Sequence, residues 1–308
     1  MLSELIANET GLSRGFVEKL ARTATYRYKI YTIPKRAGGE RVIQHPSRQL
    51  KFLQRWLVSR VFKPIPIHVA ATAYKSEASV RCNAEIHVSN NFLLRLDFKN
   101  FFPSIKTGDV ERFLIENRNK IKLELGAEDL AFICNAVTRN GAIVIGAPSS
   151  PIISNQIMYP FDEVVSRFCF EKRVSYSRYA DDMYFSTNEP NVLSDVYERV
   201  KQFILELGYP RLSLNQDKTS HSSRKRKRLV TGLSLTSDKK ISLGRAKKRY
   251  VRSLVHKFIN NQLEIEMRGY LAGYLSYAKS VEPSFIERLG AKFGQDAVGA
   301  AMRMPFED

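Results

Sequence analysis

Cysteine is scarce in this chain: Cys82, Cys134 and Cys169 are the three in 308 residues, and none stands in a CxxC spacing. That excludes a disulfide framework and a cysteine-held zinc site and suits a reducing compartment. Long apolar runs are missing too, since no stretch approaches the roughly 18 residues of a membrane span. The opening MLSELIANETGLSRG places acids and polar residues where a secretory leader needs an apolar run, so a cytoplasmic chain is expected. Acid is also in short supply, with 31 Asp+Glu against 49 Lys+Arg and a formal net charge of +18. A folded chain with that surplus repels itself unless its normal partner is a polyanion, which points to nucleic acid ahead of an anionic membrane. With 44% hydrophobic residues the chain can still bury a full core and is not a disordered tail. Internal repeats and long linkers are absent.

Local patterns divide the chain. Residues 13–23 read as a helix with Ser13 as N-cap. YRYKIYTIP (26–34) and ERVIQHP (40–46) alternate like two strands around Gly38-Gly39, forming a basic hairpin. Ser47 opens a helix that Pro64 and Pro66 end. FLLRLDFKNFF (92–102) is the strongest strand signal, with Asp97 where the run turns polar. Two helices fill about 108–138, and GAIVIGAPSSP is a loop. A helix then runs to about 171, disturbed at Pro160. RVSYSRY and MYFST flank Ala180-Asp181-Asp182 as a hairpin. A helix near 192–207 precedes the strand RLSLN. Residues 219–257 hold thirteen Lys+Arg and one acid, so most of the excess charge is concentrated there.

Two acids at one turn and a third at the end of another strand suit a two-metal phosphoryl-transfer site. Magnesium prefers carboxylate oxygens and shares the rest of its shell with phosphates and water. Two such ions about 3.5–4 Å apart activate an attacking hydroxyl and stabilise a leaving pyrophosphate. Successive residues on extended backbone point to opposite sides, so Asp97 and Asp181 are expected as the principal ligands and Asp182 as a weaker one.

These residues bring the chain to a family. It resembles the reverse transcriptases, and among them the retron reverse transcriptases of bacteria, from about residue 26 to about 280. The matching elements are YRYKIYTIPKRAGGERVIQHPS, LRLDFKNFFPSI, GAPSSPIISN, the YADD turn, LSLNQDKT and VTGLSL, in the family's order. Asn83-Ala84-Glu85-Ile86-His87 matches the NAxxH signature, and Val230-Thr231-Gly232 matches the VTG triplet.

The resemblance implies an α+β right-hand polymerase. Residues 1–90 would be N-terminal helices and fingers. Residues 91–235 would be a palm with an antiparallel sheet and finger insertions at about 108–150, and residues 236–308 a helical, basic thumb. Asp97, Asp181 and Asp182 would be the catalytic, metal-binding aspartates, holding two Mg2+ ions. Arg41 would reach the triphosphate of the incoming dNTP, and Phe102 would be the gate against a ribose 2′-OH. Lys218 would protonate or neutralise the leaving pyrophosphate. The family loop reads QGAPxSP, whereas here Ile145 replaces the glutamine and its side chain cannot hydrogen-bond the nucleotide or template; Gly146-Ala147-Pro148 can still bring backbone to the nucleotide.

Asn83 and His87 share a helix face and would have a structural or RNA-facing role, while Val230, Thr231 and Gly232 would help choose the RNA. Arg224, Lys225 and Arg226 add positive charge beside that strand. In GRAKKRYVRSLVHKF, Ala246, Tyr250 and Leu254 recur against Lys247, Lys248, Arg249 and Arg252, a basic amphipathic helix suited to phosphates.

The expected partner is a cognate noncoding RNA that is both template and primer, with synthesis from a guanosine 2′-hydroxyl giving branched RNA-linked DNA. A separately encoded effector in phage defence is expected as well, and no membrane. A group II intron-type enzyme and a catalytically inactive RNA scaffold are the rivals. The first should lack NAxxH and VTG, and the second should incorporate no dNTP.

Overall fold

The computed structural model describes residues 1–34, 38–75 and 78–303. Helices α1 (Leu2–Thr10) and α2 (Arg14–Arg22) open the chain, and Ser13 caps α2 by accepting a hydrogen bond from the Phe16 amide at 3.3 Å. Strands β1 (Tyr28–Pro34) and β2 (Glu40–Pro46) pair antiparallel, with Tyr28 opposite Pro46 and Ile33 opposite Arg41. Residues 35–37 of the expected hairpin lie outside the described residues. Ser47 caps α3 (Arg48–Leu57), which widens into a π-helical turn at Val58–Phe62 before Pro64.

Next come α4 (Val80–His87), β3 (Phe92–Asp97), α5 (Phe101–Ser104), α6 (Thr107–Glu116) and α7 (Ala127–Val137). The long helix expected up to 171 is two helices, α8 (Ser150–Ile157) and α9 (Tyr159–Glu171), parted at Met158. Pro160 has no N–H to donate back to α8, so it fits the first turn of a new helix and not the middle of an old one. Strands β4 (Ser175–Tyr179) and β5 (Asp182–Thr187) follow, then α10 (Val192–Glu206). The strand expected at RLSLN is one isolated bridge, Leu214 to Phe98. Short strands β6 (Ser220–Ser223), β7 (Arg228–Val230), β8 (Leu233–Leu235) and β9 (Ile241–Ser242) lead to helices α11 (Arg245–Ile259), α12 (Ile265–Val281), α13 (Pro283–Phe293) and α14 (Gln295–Met302). One four-stranded sheet has the order β4-β5-β3-β6, and a three-stranded one the order β7-β8-β9. Mixed helices and antiparallel hairpins make the class α+β.

Two compact units follow packing, not sequence order: Met1–Ser76, Arg95–Met183 and Ser194–Thr219 form the first, and the remainder forms the second. In the first, α2 and α3 pack on α7, and the Leu2 amide donates to Asp129 Oδ1 at 2.7 Å. Its core includes Leu50, Leu53, Ile133, Ile153, Phe161 and Val165. Each such side chain contributes about 1.5–3 kcal/mol through burial.

In the second unit, α4 lies on β7 and β8, and α11 to α14 form a helical cluster around Val251, Leu271, Leu275 and Phe285. The buried stripe of α11 is Val251, Leu254 and Val255, not the expected Ala246, Tyr250 and Leu254; Tyr250 is 48% exposed. Among the described residues, no helix is long and apolar enough to cross a membrane.

Candidate active site

The three aspartates all belong to the first unit. Asp97 ends β3 with a side chain 2% exposed, and its carbonyl accepts the Asn215 amide at 2.8 Å. The next amide, of Phe98, donates to the Asp181 carbonyl at 3.1 Å, which stitches the end of β3 to the β4–β5 connection. That connection is two residues long, and Ala180 takes a left-handed φ of 58°. A non-glycine residue rarely sits there, so something must hold it.

Arg178 holds it. Its guanidinium is fully buried and donates to the Ala180 carbonyl at 3.0 Å, to Asn155 Oδ1 at 3.2 Å, and to both oxygens of Asp162, at 2.8 Å to Oδ1 and 2.6 Å to Oδ2. Tyr176 Oη also donates to Asp162 Oδ1 at 2.7 Å. Burial works to lower the Arg178 pKa, but the Asp162 carboxylate outweighs it and the guanidinium stays charged. The sequence reading missed this bracket. Its one signal was an arginine inside the otherwise apolar and hydroxylic strand SYSRY.

The acids repel one another. Burial, then the charge of Asp97, raises the Asp181 carboxyl above the ordinary range, while Lys218 and Arg41 act against the rise. Burial also lifts Asp182, to about 6, with Asp181 and Asp97 adding to the effect and Arg95 opposing it. Arg95 Nε and Nη2 donate to Asp182 Oδ1 at 2.9 and 2.7 Å, a contact within the strand run LLRLD that sequence reasoning did not single out. Lys218 Nζ donates to both oxygens of Asp97 at 2.9 Å. Among the described residues, no three Asp, Glu, His or Cys side chains converge on one metal position. The donor set nevertheless fits a hard divalent cation: every donor is a carboxylate oxygen, and an ammonium already sits symmetrically across Asp97 in a cation's place.

Around the acids, Arg41 is exposed on β2 and its charge reaches Asp181. Tyr74, at φ 60°, is a neighbour that the sequence did not flag: burial and then the Asp181 charge raise its hydroxyl pKa. Phe102 stacks on Phe101, with centroids 5.7 Å apart, and keeps part of its surface exposed. Ala147, expected beside the nucleotide, is buried, with 3% of its surface exposed. The Ile145 carbonyl accepts the Gln44 amide at 2.8 Å, and a Cβ on Gly146 (φ 113°) would stand 2.7 Å from the Gln44 carbonyl oxygen. The 145–148 loop is thereby zipped to β2, and only glycine fits the seam.

The residues expected to face RNA divide in the second unit. Asn83 and His87 are 0% exposed, which corrects the RNA-facing alternative: the inner face of α4 packs on β-strands and leaves no surface. His87 Nδ1 lies 2.7 Å from Ser186 Oγ, which also accepts from Asn90 Nδ2 at 2.8 Å. Val230 is buried as well. Thr231 and Gly232, at φ 46° and 82°, form the turn between β7 and β8, a shape that suits glycine or asparagine better than a β-branched residue. Thr231 is fastened by its amide to Tyr184 Oη and by its hydroxyl to the Val80 carbonyl, both at 3.0 Å.

Arg224, Lys225 and Arg226 are exposed, although Arg224 Nη2 donates to the Ser237 carbonyl at 2.6 Å. The neighbouring Arg228 is 2% exposed and donates to the Asn90 and Thr236 carbonyls. On α11, Arg249 and Arg252 are exposed and Lys247 is half-buried. Lys248 is corrected from phosphate ligand to structural cation, since its ammonium reaches Glu282 Oε1 at 3.0 Å and Ser242 Oγ at 2.9 Å.

Comparison with known proteins now identifies the group. The family described as reverse transcriptase (RNA-dependent DNA polymerase) matches residues 33–248. The chain is 41% identical over 286 residues to retron Ec83 reverse transcriptase of Escherichia coli, covering 90% of each. It is 32% identical over 301 residues to retron Ec73 reverse transcriptase of the same species, covering 95% of each. In fold, telomerase from Candida albicans in complex with a TWJ fragment of telomeric RNA matches with a TM-score of 0.51 at 15% identity. That match covers 97% of this chain and 60% of the telomerase, so the chain spans less than two thirds of that relative. The chain therefore belongs to the reverse transcriptases, RNA-directed DNA polymerases with the right-hand fold, and within them to the retron group.

Proposed function

We propose that this chain copies one structured noncoding RNA into DNA, starting from a 2′-hydroxyl of a guanosine in that RNA, and so makes branched RNA-linked single-stranded DNA. The observation that carries the reading is the junction of Asp97, Asp181 and Asp182 at one strand end and one braced turn, in a chain of the retron group. Residues 1–90 act as fingers, 91–235 as palm and 236–308 as thumb; residues 304–308 lie outside the described residues.

Asp97 and Asp181 hold two magnesium ions, with Asp182 the weaker ligand because Arg95 already occupies one of its oxygens. When bound, the ions lower the pKa of the attacking hydroxyl and neutralise the leaving pyrophosphate. The protein's own groups do the rest. Arg41 offers a guanidinium fork to the triphosphate of the dNTP. The 146–148 backbone lies beside the β2 segment that carries Arg41. Phe102 blocks a ribose 2′-hydroxyl. Lys218, 47% exposed, swings from Asp97 to the departing pyrophosphate and gives it a proton or a counter-charge. Thr231, Gly232 and the exposed Arg224–Arg226 run receive the RNA. The α4 residues Asn83 and His87 act by positioning that turn. A separately encoded effector, held in check by the RNA–DNA product in phage defence, completes the reading, which here rests on the family resemblance.

The test is incubation of the protein with its own RNA, dNTPs and Mg2+, with separate RNase, DNase and debranching-enzyme digestion of the product. DNA that stays joined to RNA until debranching is expected. Unbranched DNA extended from an annealed 3′ end would favour the group II intron-type alternative, and no incorporation would favour the inactive scaffold.

A further inference from the structure

Tyr74 stands beside the catalytic turn and has no part in the roles above. Three residues before it, Ala71 bridges Arg178 in parallel. The Arg178 amide donates to the Ala70 carbonyl and the Thr72 amide to the Arg178 carbonyl, both at 2.8 Å. Residues 70–72 thus run along the outer edge of β4, the end strand of its sheet. Three residues on from the bridge lie Tyr74 on one side and Asp181 on the other, so the parallel register brings the two abreast. The phenol accordingly feels the charges of both Asp181 and Arg41.

The backbone fixes where the ring stands. Asn155, the buried amide that also meets Arg178, donates through Nδ2 to the Ala73 carbonyl at 2.9 Å. Lys75 Nζ closes the segment on the Val69 carbonyl at 3.2 Å. Between these ties Tyr74 takes its left-handed φ of 60°, which a bulky residue adopts only under constraint. Backbone strain that the surroundings over-determine is a pointer to function. Core packing does not account for it, since Tyr74 is 50% exposed and its hydroxyl makes no hydrogen bond among the described residues. A phenol keeps its proton at neutral pH and offers one O–H donor. The two charged groups around this donor are assigned to one ligand, Arg41 to the triphosphate and Asp181, through its metal, to the reacting phosphate.

We infer that Tyr74 is a nucleotide-contacting residue, its hydroxyl donating a hydrogen bond to a triphosphate oxygen of the incoming dNTP. The inference rests on the proposed roles of Arg41 and Asp181. It adds a neutral, pre-positioned donor to a grip otherwise made of cations.

Tyr74→Phe removes the hydroxyl and keeps the ring, and a thermal melt matching the parent verifies the fold. In DNA synthesis on the cognate RNA, its KM for dNTP should rise by about tenfold or more, the scale of one hydrogen bond to a charged group, with kcat changed far less. Equilibrium dialysis of a radiolabelled α,β-imido dNTP against the protein–RNA complex with Mg2+ needs no turnover. It should show the same loss, while affinity for the RNA itself stays at the parent value. An unchanged KM together with an unchanged analogue affinity overturns the contact. So does a loss of RNA affinity with nucleotide binding intact, which would assign the hydroxyl to the template. Arg41→Gln separates this inference from the reading beneath it. If Arg41→Gln weakens the analogue and Tyr74→Phe does not, the nucleotide site stands and the tyrosine contact falls. If the parent incorporates no dNTP while Tyr74→Phe still weakens the analogue, the proposed function fails and the contact stands.

Discussion

Phe98 and Phe101 are 1% and 5% exposed, whereas Phe102 in the same run keeps part of its ring at the surface beside Asp97's strand. A gate needs such an exposed edge and core packing does not, a distinction the string FKNFF does not carry. Phe102→Ala should raise ribonucleotide incorporation relative to deoxyribonucleotide by about 10–200-fold, the range that steric fit in a pocket commands. Primer extension with each triphosphate measures it, and an unchanged ratio removes the gate. A second residue-scale expectation concerns Arg178. Arg178→Met strands Asp162 in the core and should cost about 3–5 kcal/mol in urea unfolding, whereas Arg178→Met/Asp162→Leu should cost less than the two single changes together. Strict additivity would mean that Arg178 and Asp162 do not act as a coupled pair. The meeting of the aspartates was legible because two adjacent acids in a turn between apolar strands, with a third at the end of an upstream strand, make a pattern that a single turn aspartate does not. Arg178, Arg95 and Tyr74 were not, because the acids they meet stand on other elements and a lone strand arginine does not name its acid.

At the scale of elements, helix α4 shows what a signature string conceals. Four-residue spacing correctly put Asn83 and His87 on one face, but periodicity cannot say whether that face meets protein or solvent, and tertiary packing chose protein. The consequence is a pH dependence. Burial lowers the His87 pKa to about 3, against an ordinary value of 6.5. Between those values the unfolded chain binds a proton that the folded one refuses, so stability falls as pH falls, by up to about 1.4 kcal/mol per pH unit. Urea midpoints from pH 7 to pH 4 should show this slope, and His87→Gln should flatten it. Equal slopes in the two proteins would contradict a neutral, buried imidazole at this position. The same limit explains α8 and α9: Pro160 announced a disturbance, but only the packed structure shows a complete break at Met158. RLSLN read as a strand on alternation alone, yet among the described residues it makes an isolated bridge, Leu214 to Phe98.

Across the whole molecule, the scarcity of acid has acquired a location. The acids that matter sit at the β3 end and the β4–β5 turn, while exposed cations collect at 224–226, on α11 and around the hairpin base. Charge tells of a polyanionic partner but not of chemistry, and the aspartates carry the catalytic claim. The measurement that tests it most directly is DNA synthesis by Asp181→Asn on the cognate RNA with Mg2+ and dNTPs, alongside RNA binding by the same variant. Loss of synthesis by about 10³-fold or more, the scale of lost charge stabilisation at a reacting centre, with RNA affinity nearly unchanged, is the predicted result; synthesis retained near the parent rate would contradict the assigned site.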